Sequence, residues 1–467
     1  MSSRRRRVLP AALIAAAATL AWPAAAMAHG LTGRADLPLP RWLFGWGAAV
    51  VLVISFLALA VLWPKPKLEN ARSRVIPWLR FLTSRVVEIV CGAIGVVILV
   101  LVIYAGFAGE QSPSSNIAPV IVFVTFWVGF VPVSVLFGNV YAAFNPWRAI
   151  GRVAFRTARR PYPAGLGRWP ASIVLIGFTT FELAVRQASA PEKVAVVALG
   201  YTVVTLVAMA IYGVDVWVER GEGFAVYFDL FARMAVFGRE GDDIVLRAPL
   251  SALPRLAPLP GTTMVVAVMI GSLTYDGMAE ASFYQDIAQA FRDGAGSLGA
   301  SDVWQAQIAA FLGLMGAILV VLALYGAGCI GASLLDPSMT PGAVANAFAH
   351  SLVPIAFAYV SAHYFTFLVF QGQTIIPLAS DPLGHGSDFF GTAGETINYG
   401  LVGAASVWYI QVILVVVGHA LALALAHDRA LILYPTQRDA VRSQFWMLGV
   451  MVAFTSLALF LLSQANA

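Results

Sequence analysis

Long apolar runs of about 20 residues, separated by short polar segments, dominate the pattern of this chain from end to end. A run of that length is sufficient for one helix to cross the hydrocarbon core of a bilayer. The pattern therefore predicts an all-α polytopic membrane protein with about ten transmembrane helices. The predicted spans lie near residues 42–63, 86–107, 118–142, 169–188, 194–217, 262–278, 303–328, 344–370, 400–424 and 444–464.

Composition excludes a soluble protein. The chain has 467 residues, of which 60% are hydrophobic and 11% charged, with a mean hydropathy of +0.80. Soluble domains carry about 25% charged residues, so the predicted solvent is a lipid bilayer. The only two cysteines, Cys91 and Cys329, lie within apolar runs and indicate no disulfide framework.

The first 28 residues have the three parts of a secretory signal peptide. Arg4 to Arg7 form a basic region, Val8 to Leu20 an apolar region, and Ala26-Met27-Ala28 a small-residue cleavage site. Cleavage is expected to leave His29 as the new N-terminus, with residues 29–467 forming one helical membrane domain. The alternative is an uncleaved first helix.

The distribution of lysine and arginine predicts the orientation. The loops 64–85, 143–168, 218–261 and 425–443 hold 20 basic residues, and the opposite side of the ten-span topology holds 5. Cytoplasmic loops retain basic residues, so both mature termini are expected on the outer side of the membrane. This bias also explains the net charge of +5 without a nucleic-acid partner.

Three longer connections stand out in that topology. Segments 279–302 and 371–399 are predicted to be outer loops, and 218–261 a cytoplasmic or interfacial segment. Within the last, residues 224–237 are apolar except for Asp229 and Arg233, whose spacing of four residues matches one helix face. We expect a lipid-facing helix lying along the inner interface.

Ionisable residues inside the spans are the candidates for chemistry, because their burial in a membrane is costly. His350 and His419 should lie at similar depths in neighbouring spans eight and nine, where they can face each other. They form a second candidate site, although histidines in spans also serve simply as hydrogen-bonding groups between helices.

The outer mouth collects more of these residues. The topology places His29, His363 and His385 on that side together with Asp276, Asp381, Asp388 and Glu182. Imidazole nitrogen and carboxylate oxygen are the usual ligands of zinc and related divalent ions. None of these residues has the fixed short spacing of a known metal motif, so the grouping depends on topology alone.

Several stretches of the chain resemble bacterial integral-membrane fenitrothion hydrolases. They are AHGLTGRADLPLPRWLFGW, AFNPWRAIGR, YVSAHYFTFLVFQGQ, SDPLGHGSDFFGTAGETINY and GHALALALAHDRALILY, in that order along nearly the whole chain. The resemblance implies a membrane-bound organophosphorus hydrolase that cleaves the P–O-aryl bond of small lipophilic phosphotriesters and releases a nitrophenol. It implies no particular catalytic residue.

Such a reaction needs an activated water molecule, and a divalent metal ion such as zinc can supply one. We expect His363 and Asp276 to be the first metal ligands, with His29 and His385 next. Asp276, Glu182 and Asp381 are the candidate catalytic carboxylates, with Glu182 or Asp381 as the base.

Two other functions fit the same sequence. A transporter or permease would use the spans and their polar residues His350, His419, Glu182 and Asp215, with helices interrupted near Pro132 and Pro354. A copper-handling membrane protein would use His29, whose α-amine and imidazole can both bind one metal ion.

Overall fold

The computed structural model describes residues 41–279, 281–336 and 338–465. The predicted signal peptide and His29 lie outside the described residues. Within that part of the chain, nine helices are long and apolar enough to cross a membrane. An all-α polytopic membrane protein, as the apolar pattern predicts, is therefore what the chain forms.

The long helices follow the predicted spans within a few residues at most boundaries. They are α1 (Arg41–Leu62), α2 (Arg85–Ala108), α3 (Ile117–Phe137), α7 (Pro191–Tyr212), α10 (Thr262–Ala279), α12 (Asp302–Ser333), α13 (Pro341–His363), α15 (Ala404–Leu433) and α16 (Gln437–Ala465). The shorter helices are α4 (Tyr141–Phe144), α5 (Pro146–Ala154), α6 (Trp169–Ala184), α8 (Val214–Arg220), α9 (Gly223–Ala232), α11 (Ser282–Ser297) and α14 (Phe367–Ser380), the last of mixed winding.

The fourth predicted span is shorter than expected. It forms α6, a helix of 16 residues, which at 1.5 Å per residue is about 24 Å long. The chain leaves the helix at Val185, whose backbone is extended. The last turn of α6 carries Glu182.

The connections between the helices fall into two sets, at opposite ends of the bundle. We call one the basic end, formed by residues 63–84, 138–168, 213–261, 334–336, 338–340 and 434–436. The other is the site end, formed by residues 109–116, 185–190, 281–301 and 364–403. Contacts join segments within each set: Ile76 N bonds to Ile244 O at 2.8 Å at the basic end, and Glu110 N to Leu383 O at 2.8 Å at the site end.

A small antiparallel sheet at the basic end was not predicted. It consists of β1 (Arg74–Val75), β2 (Phe237–Glu240) and β3 (Asp243–Leu246), with β3 in the centre. Gly241, with φ of 62°, makes the turn between β2 and β3. The sheet thus organises part of the segment 218–261 outside the helical bundle.

Helix α9 is buried, and the expectation that it faces lipid is wrong. Nine of its ten residues are buried, and Tyr227 stacks on Trp127 with ring centroids 4.5 Å apart. An apolar stretch of ten residues that is surrounded by aromatic side chains gains more from burial inside the bundle than at its surface. The spacing of Asp229 and Arg233 does produce the ion pair, at 2.8 Å, at the end of this helix.

Asp428, near the basic end of α15, fixes the segment that follows α1. Its fully buried carboxylate accepts four hydrogen bonds, from Trp63 Nε1 at 2.8 Å and from the backbone N–H groups of Lys67, Leu68 and Glu69 at 2.6, 3.0 and 2.9 Å. Bonds to an ionised acceptor are stronger than neutral ones. This carboxylate therefore links two helices that are distant in sequence.

We expect the substitution Asp428→Ala to lower the free energy of unfolding by about 3 kcal/mol or more, because four buried donors lose their acceptor. Unfolding of the purified protein by sodium dodecyl sulfate in mixed micelles measures this. Asp286→Asn, at an exposed position of α11, is the control and should change stability by less than about 0.5 kcal/mol. Equal stability of the two variants would contradict a clamping role for Asp428.

Candidate functional site

Two of the predicted site residues meet at the site end of the bundle. His363 Nε2 and Asp276 Oδ2 are 2.8 Å apart. Asp276 lies in the last turn of α10, and His363 is the last residue of α13. Because α10 and α13 pack against each other and both run toward this end, two residues 87 positions apart form one hydrogen-bonded pair.

The pair is partly open to its surroundings. The side chain of His363 is 13% exposed and that of Asp276 27%. Tyr364 donates a hydrogen bond from its hydroxyl to the same Asp276 Oδ2, at 3.1 Å. The rings of His363 and Tyr364 are perpendicular, with centroids 4.8 Å apart. The His363 imidazole is therefore partly exposed, and neighbouring groups fix its orientation.

Glu182 extends this group of residues into the bundle. Its carboxyl group lies beside the Tyr364 hydroxyl and the Trp127 indole. A cavity of about 10 Å³ is lined by Glu182, Tyr364 and Trp127 together with Tyr227 and Met269. This volume is enough for about one water molecule. Tyr364 thus lies between Glu182 and Asp276.

The helices around this cavity are irregular. Residues Val120–Gly129 of α3, which carry Trp127, have π-helical winding, and so do residues Phe367–Gln371, which begin three residues after Tyr364. The two π-helical segments pack against each other. Pro132 cannot donate to the carbonyl four residues before it, which is consistent with a changed winding in α3. Such irregularities often mark functional sites.

Asp381 and Asp388, two of the predicted site residues in the loop after α14, have partners within that loop, which also contains His385. Asp381 accepts hydrogen bonds from the backbone of His385 at 3.1 Å and of Gly386 at 2.8 Å. The Ser380 hydroxyl, which bonds to Asp388 at 2.6 Å, lowers the pKa of that carboxyl below its usual value, and backbone N–H groups act in the same direction. These carboxylates therefore shape the loop rather than join the His363–Asp276 pair.

The predicted set of metal ligands is not assembled by the described residues. Among residues 41–279, 281–336 and 338–465, no three His, Cys, Asp or Glu side chains lie close enough to hold a metal ion. His363 and Asp276 bond to each other, His385 lies in the exposed loop, and His29 lies outside the described residues. A metal site that adds His29 to His363 and Asp276 therefore stays a prediction.

His350 and His419, the second candidate site, are both buried, at 3% and 2% exposure. His419 Nδ1 bonds to Val415 O, one turn earlier in α15, at 2.8 Å. Neither Nε2 atom has a hydrogen-bond partner in the part of the chain that the structure describes. They therefore do not form the hydrogen-bonded pair between helices that would support a joint role.

Sequence reasoning missed the contributions of Tyr364 and Trp127 to the site. Tyr364 could have been found from its position directly after a histidine within a span. Trp127 gave no signal, because one tryptophan in an apolar run is typical of any transmembrane helix.

Comparison with family models, with curated proteins and with solved structures finds no match to this chain. The resemblance to fenitrothion hydrolases thus stays a prediction. Function is inferred from the geometry of the site together with that resemblance.

The contact with Asp276 predicts which nitrogen of His363 carries a proton. We expect nitrogen NMR of histidine-labelled protein to show Nε2–H for His363, because a carboxylate acceptor fixes that tautomer. The substitution Asp276→Asn should shift or broaden this signal, and Asp381→Asn should leave it unchanged. An unaltered signal in Asp276→Asn would contradict the pairing.

Proposed function

We propose that the protein is an integral-membrane hydrolase of small lipophilic phosphotriesters of the fenitrothion type. It would cleave the P–O-aryl bond and release a nitrophenol. The observation that supports this function is the 2.8 Å contact between His363 Nε2 and Asp276 Oδ2. An imidazole oriented by a carboxylate is a general base that can activate water.

In the proposed reaction His363 removes a proton from water. With Nε2 held by Asp276, Nδ1 is the nitrogen that takes the proton. The water oxygen forms a bond to phosphorus, and the aryl oxygen leaves with the electron pair of the broken P–O bond. Asp276 stabilises the imidazolium that forms. The proton is then released from Nδ1 to solvent or to the departing phenolate.

The location of the pair suits such a substrate. A phosphotriester is neutral and lipophilic, so it concentrates in the bilayer around the helices. From there it needs to travel only to the site end of α10 and α13. Chemistry at a helix end also gives water access to the partly exposed His363 and Asp276 side chains.

The steps above use only His363 and Asp276, the two groups that the described residues bring into contact. A zinc-type ion remains the sequence-based alternative, with His29 and His385 as further ligands. Activity in the presence and absence of a chelator separates the two mechanisms.

Release of nitrophenol from a chromogenic phosphotriester by the purified, detergent-solubilised protein tests the function. We expect His363→Ala and Asp276→Asn to lower the rate about 100-fold or more, because general base catalysis contributes at least that factor. His385→Ala is the matched control, a histidine of the site end that has no contact with Asp276, and should keep the rate.

Full activity in His363→Ala would exclude the proposed base. A loss of activity in His385→Ala, together with inhibition by a chelator, would instead favour the metal-dependent mechanism.

We further propose that the site end faces the periplasm, because the loops of the basic end contain most of the lysine and arginine residues. In a background without Cys91 and Cys329, Glu395→Cys should react with a membrane-impermeant thiol reagent in cells with a permeabilised outer membrane. Arg156→Cys, an exposed position at the basic end, should react only after the inner membrane is opened. The reverse pattern would invert the proposed orientation.

A proton-coupled transporter is the second candidate function. It is favoured by the buried short helix α9 and the π-helical segment of α3, which contribute Tyr227 and Trp127 to the Glu182 cavity. Interrupted helices beside a polar group are typical of transporters. Proteoliposomes that accumulate an intact phosphotriester, without release of nitrophenol, would favour transport over hydrolysis. The copper-handling alternative rests on His29, outside the described residues.

A further inference from the structure

The arginine residues of the basic end fall into two groups. Some form ion pairs with carboxylates of neighbouring helices, such as Arg152, which contacts Glu88 and Asp215. Arg159 and Arg160 are different, because both are exposed and neither forms an ion pair with a carboxylate of the described residues. Their guanidinium groups are therefore available to an anion that does not belong to the described part of the chain.

Arg159 and Arg160 are held at the corner where α7 ends and α8 begins. Their backbone N–H groups both donate to Ile211 O, at 2.9 and 2.8 Å. Helix α7 is one of the spans and ends at Tyr212, and Gly213, with φ of 91°, turns the chain into α8. The two arginines are therefore fixed beside the point where a membrane span ends.

Arg220, the last residue of α8, belongs to the same corner. Its guanidinium carbon lies over the ring of Tyr162, 5.9 Å from the ring centroid. The Tyr162 ring also packs on the rings of Tyr212 and Trp217, with centroids 5.4 and 6.4 Å away. Because Tyr162 belongs to the loop between α5 and α6, this aromatic packing fixes that loop against α7 and α8.

We call Arg159, Arg160 and Arg220 the arginine cluster. Among the described residues, the carboxylate that pairs with this cluster is that of Glu219, 3.7 Å from Arg220 Nε and with 60% of its side chain exposed. This separation is longer than a hydrogen bond, and an exposed ion pair contributes little free energy. Three guanidinium charges therefore lie at one corner with one weakly held carboxylate, which favours the binding of an external anion.

The surroundings of the arginine cluster indicate a membrane surface. Val153 of α5 and Trp169, the first residue of α6, flank the loop in the sequence and are 88% and 42% exposed. Exposed apolar side chains at the ends of membrane spans contact the bilayer, and tryptophan prefers the level of the lipid headgroups. The arginine cluster is therefore placed near the level of the lipid phosphate groups.

We propose that the arginine cluster binds the phosphate group of an anionic phospholipid such as phosphatidylglycerol. The planar fork of an arginine matches the oxygen geometry of a phosphate, and basic clusters at the ends of membrane helices suit anionic lipid headgroups. A free phosphate ion offers the same oxygens, but the acyl chains of a lipid keep its headgroup at this surface. The bound lipid links the ends of α7 and α8 to the loop before α6.

Native mass spectrometry of the full chain, released from detergent micelles that contain phosphatidylglycerol, measures this binding. We expect the double substitution Arg159→Gln and Arg160→Gln to weaken the binding about 25-fold, because each arginine at an anionic surface contributes about fivefold. Phosphatidylcholine, whose headgroup has no net charge, should bind far more weakly and equally to both forms of the protein. Glutamine keeps both backbone hydrogen bonds to Ile211, so the variant should fold.

The double substitution Arg72→Gln and Arg74→Gln is the matched control. It removes the same charge from two exposed positions of the basic end that lie outside the arginine cluster. The affinity should change less than about threefold, since charges that do not contact the headgroup are screened by salt. Equal losses in the two double variants, or equal binding of phosphatidylcholine, would overturn the proposal. Displacement of the lipid by glycerol phosphate, which has the phosphate without the acyl chains, would overturn it as well.

Lipid binding at the basic end is independent of the proposed hydrolase and of the orientation of the chain. Absence of nitrophenol release would leave the lipid site unaffected, and a micelle presents the lipid to both ends of the bundle.

Discussion

A polar group inside this bundle must find its hydrogen-bond partners within the protein, because hydrocarbon supplies none. Two fully buried carboxylates show how completely the chain meets that demand. Asp428 accepts four hydrogen bonds and connects α1 to α15. Glu222 accepts from Asn145, from Tyr201 and from two backbone N–H groups at the start of α9. With every acceptor position occupied, these carboxylates are structural and hold their surroundings in place.

The carboxyl groups at the site end differ in the kind of partner they have. Asp276 is contacted by an imidazole and a phenol rather than by backbone N–H groups, and 27% of its side chain is exposed. Glu182 is near a phenol and an indole beside a small cavity. Imidazole, phenol and carboxyl groups can all gain or lose protons, whereas a backbone N–H only donates. Asp428 is bonded only to groups that donate a hydrogen bond and stay protonated. The carboxyl groups at the site end have partners that can themselves exchange a proton, so this group of residues is capable of proton transfer.

Much of the fold could be predicted from sequence because each span is decided locally, by about 20 consecutive apolar residues. The meeting of Asp276 and His363 at one end also follows from the alternating direction of the helices. What depends on packing between distant segments could not be predicted. The sequence of α9 is typical of a surface helix, and its burial depends on aromatic neighbours from distant parts of the chain. The sheet likewise pairs strands from residues 74–75 and 237–246. Asp381 and His385 lie at the same end of the bundle as the His363–Asp276 pair. The Asp381 carboxylate, however, already accepts hydrogen bonds from the backbone of its own turn.

The direction of the helices adds an electrostatic argument to the site. Helices α6, α10 and α13 all run toward the site end and finish there, and α10 packs against the other two. The C-terminus of a helix carries partial negative charge, and α10 ends beside the His363–Asp276 pair, with the end of α6 near it through Glu182, whereas winding continues after α13 to Ser380. They favour a positive imidazolium on His363, which is the species that a general base becomes when it takes a proton from water. They also disfavour a negatively charged ligand. For the hydrolysis proposed above, these helix ends would admit a neutral phosphotriester and repel the anionic product.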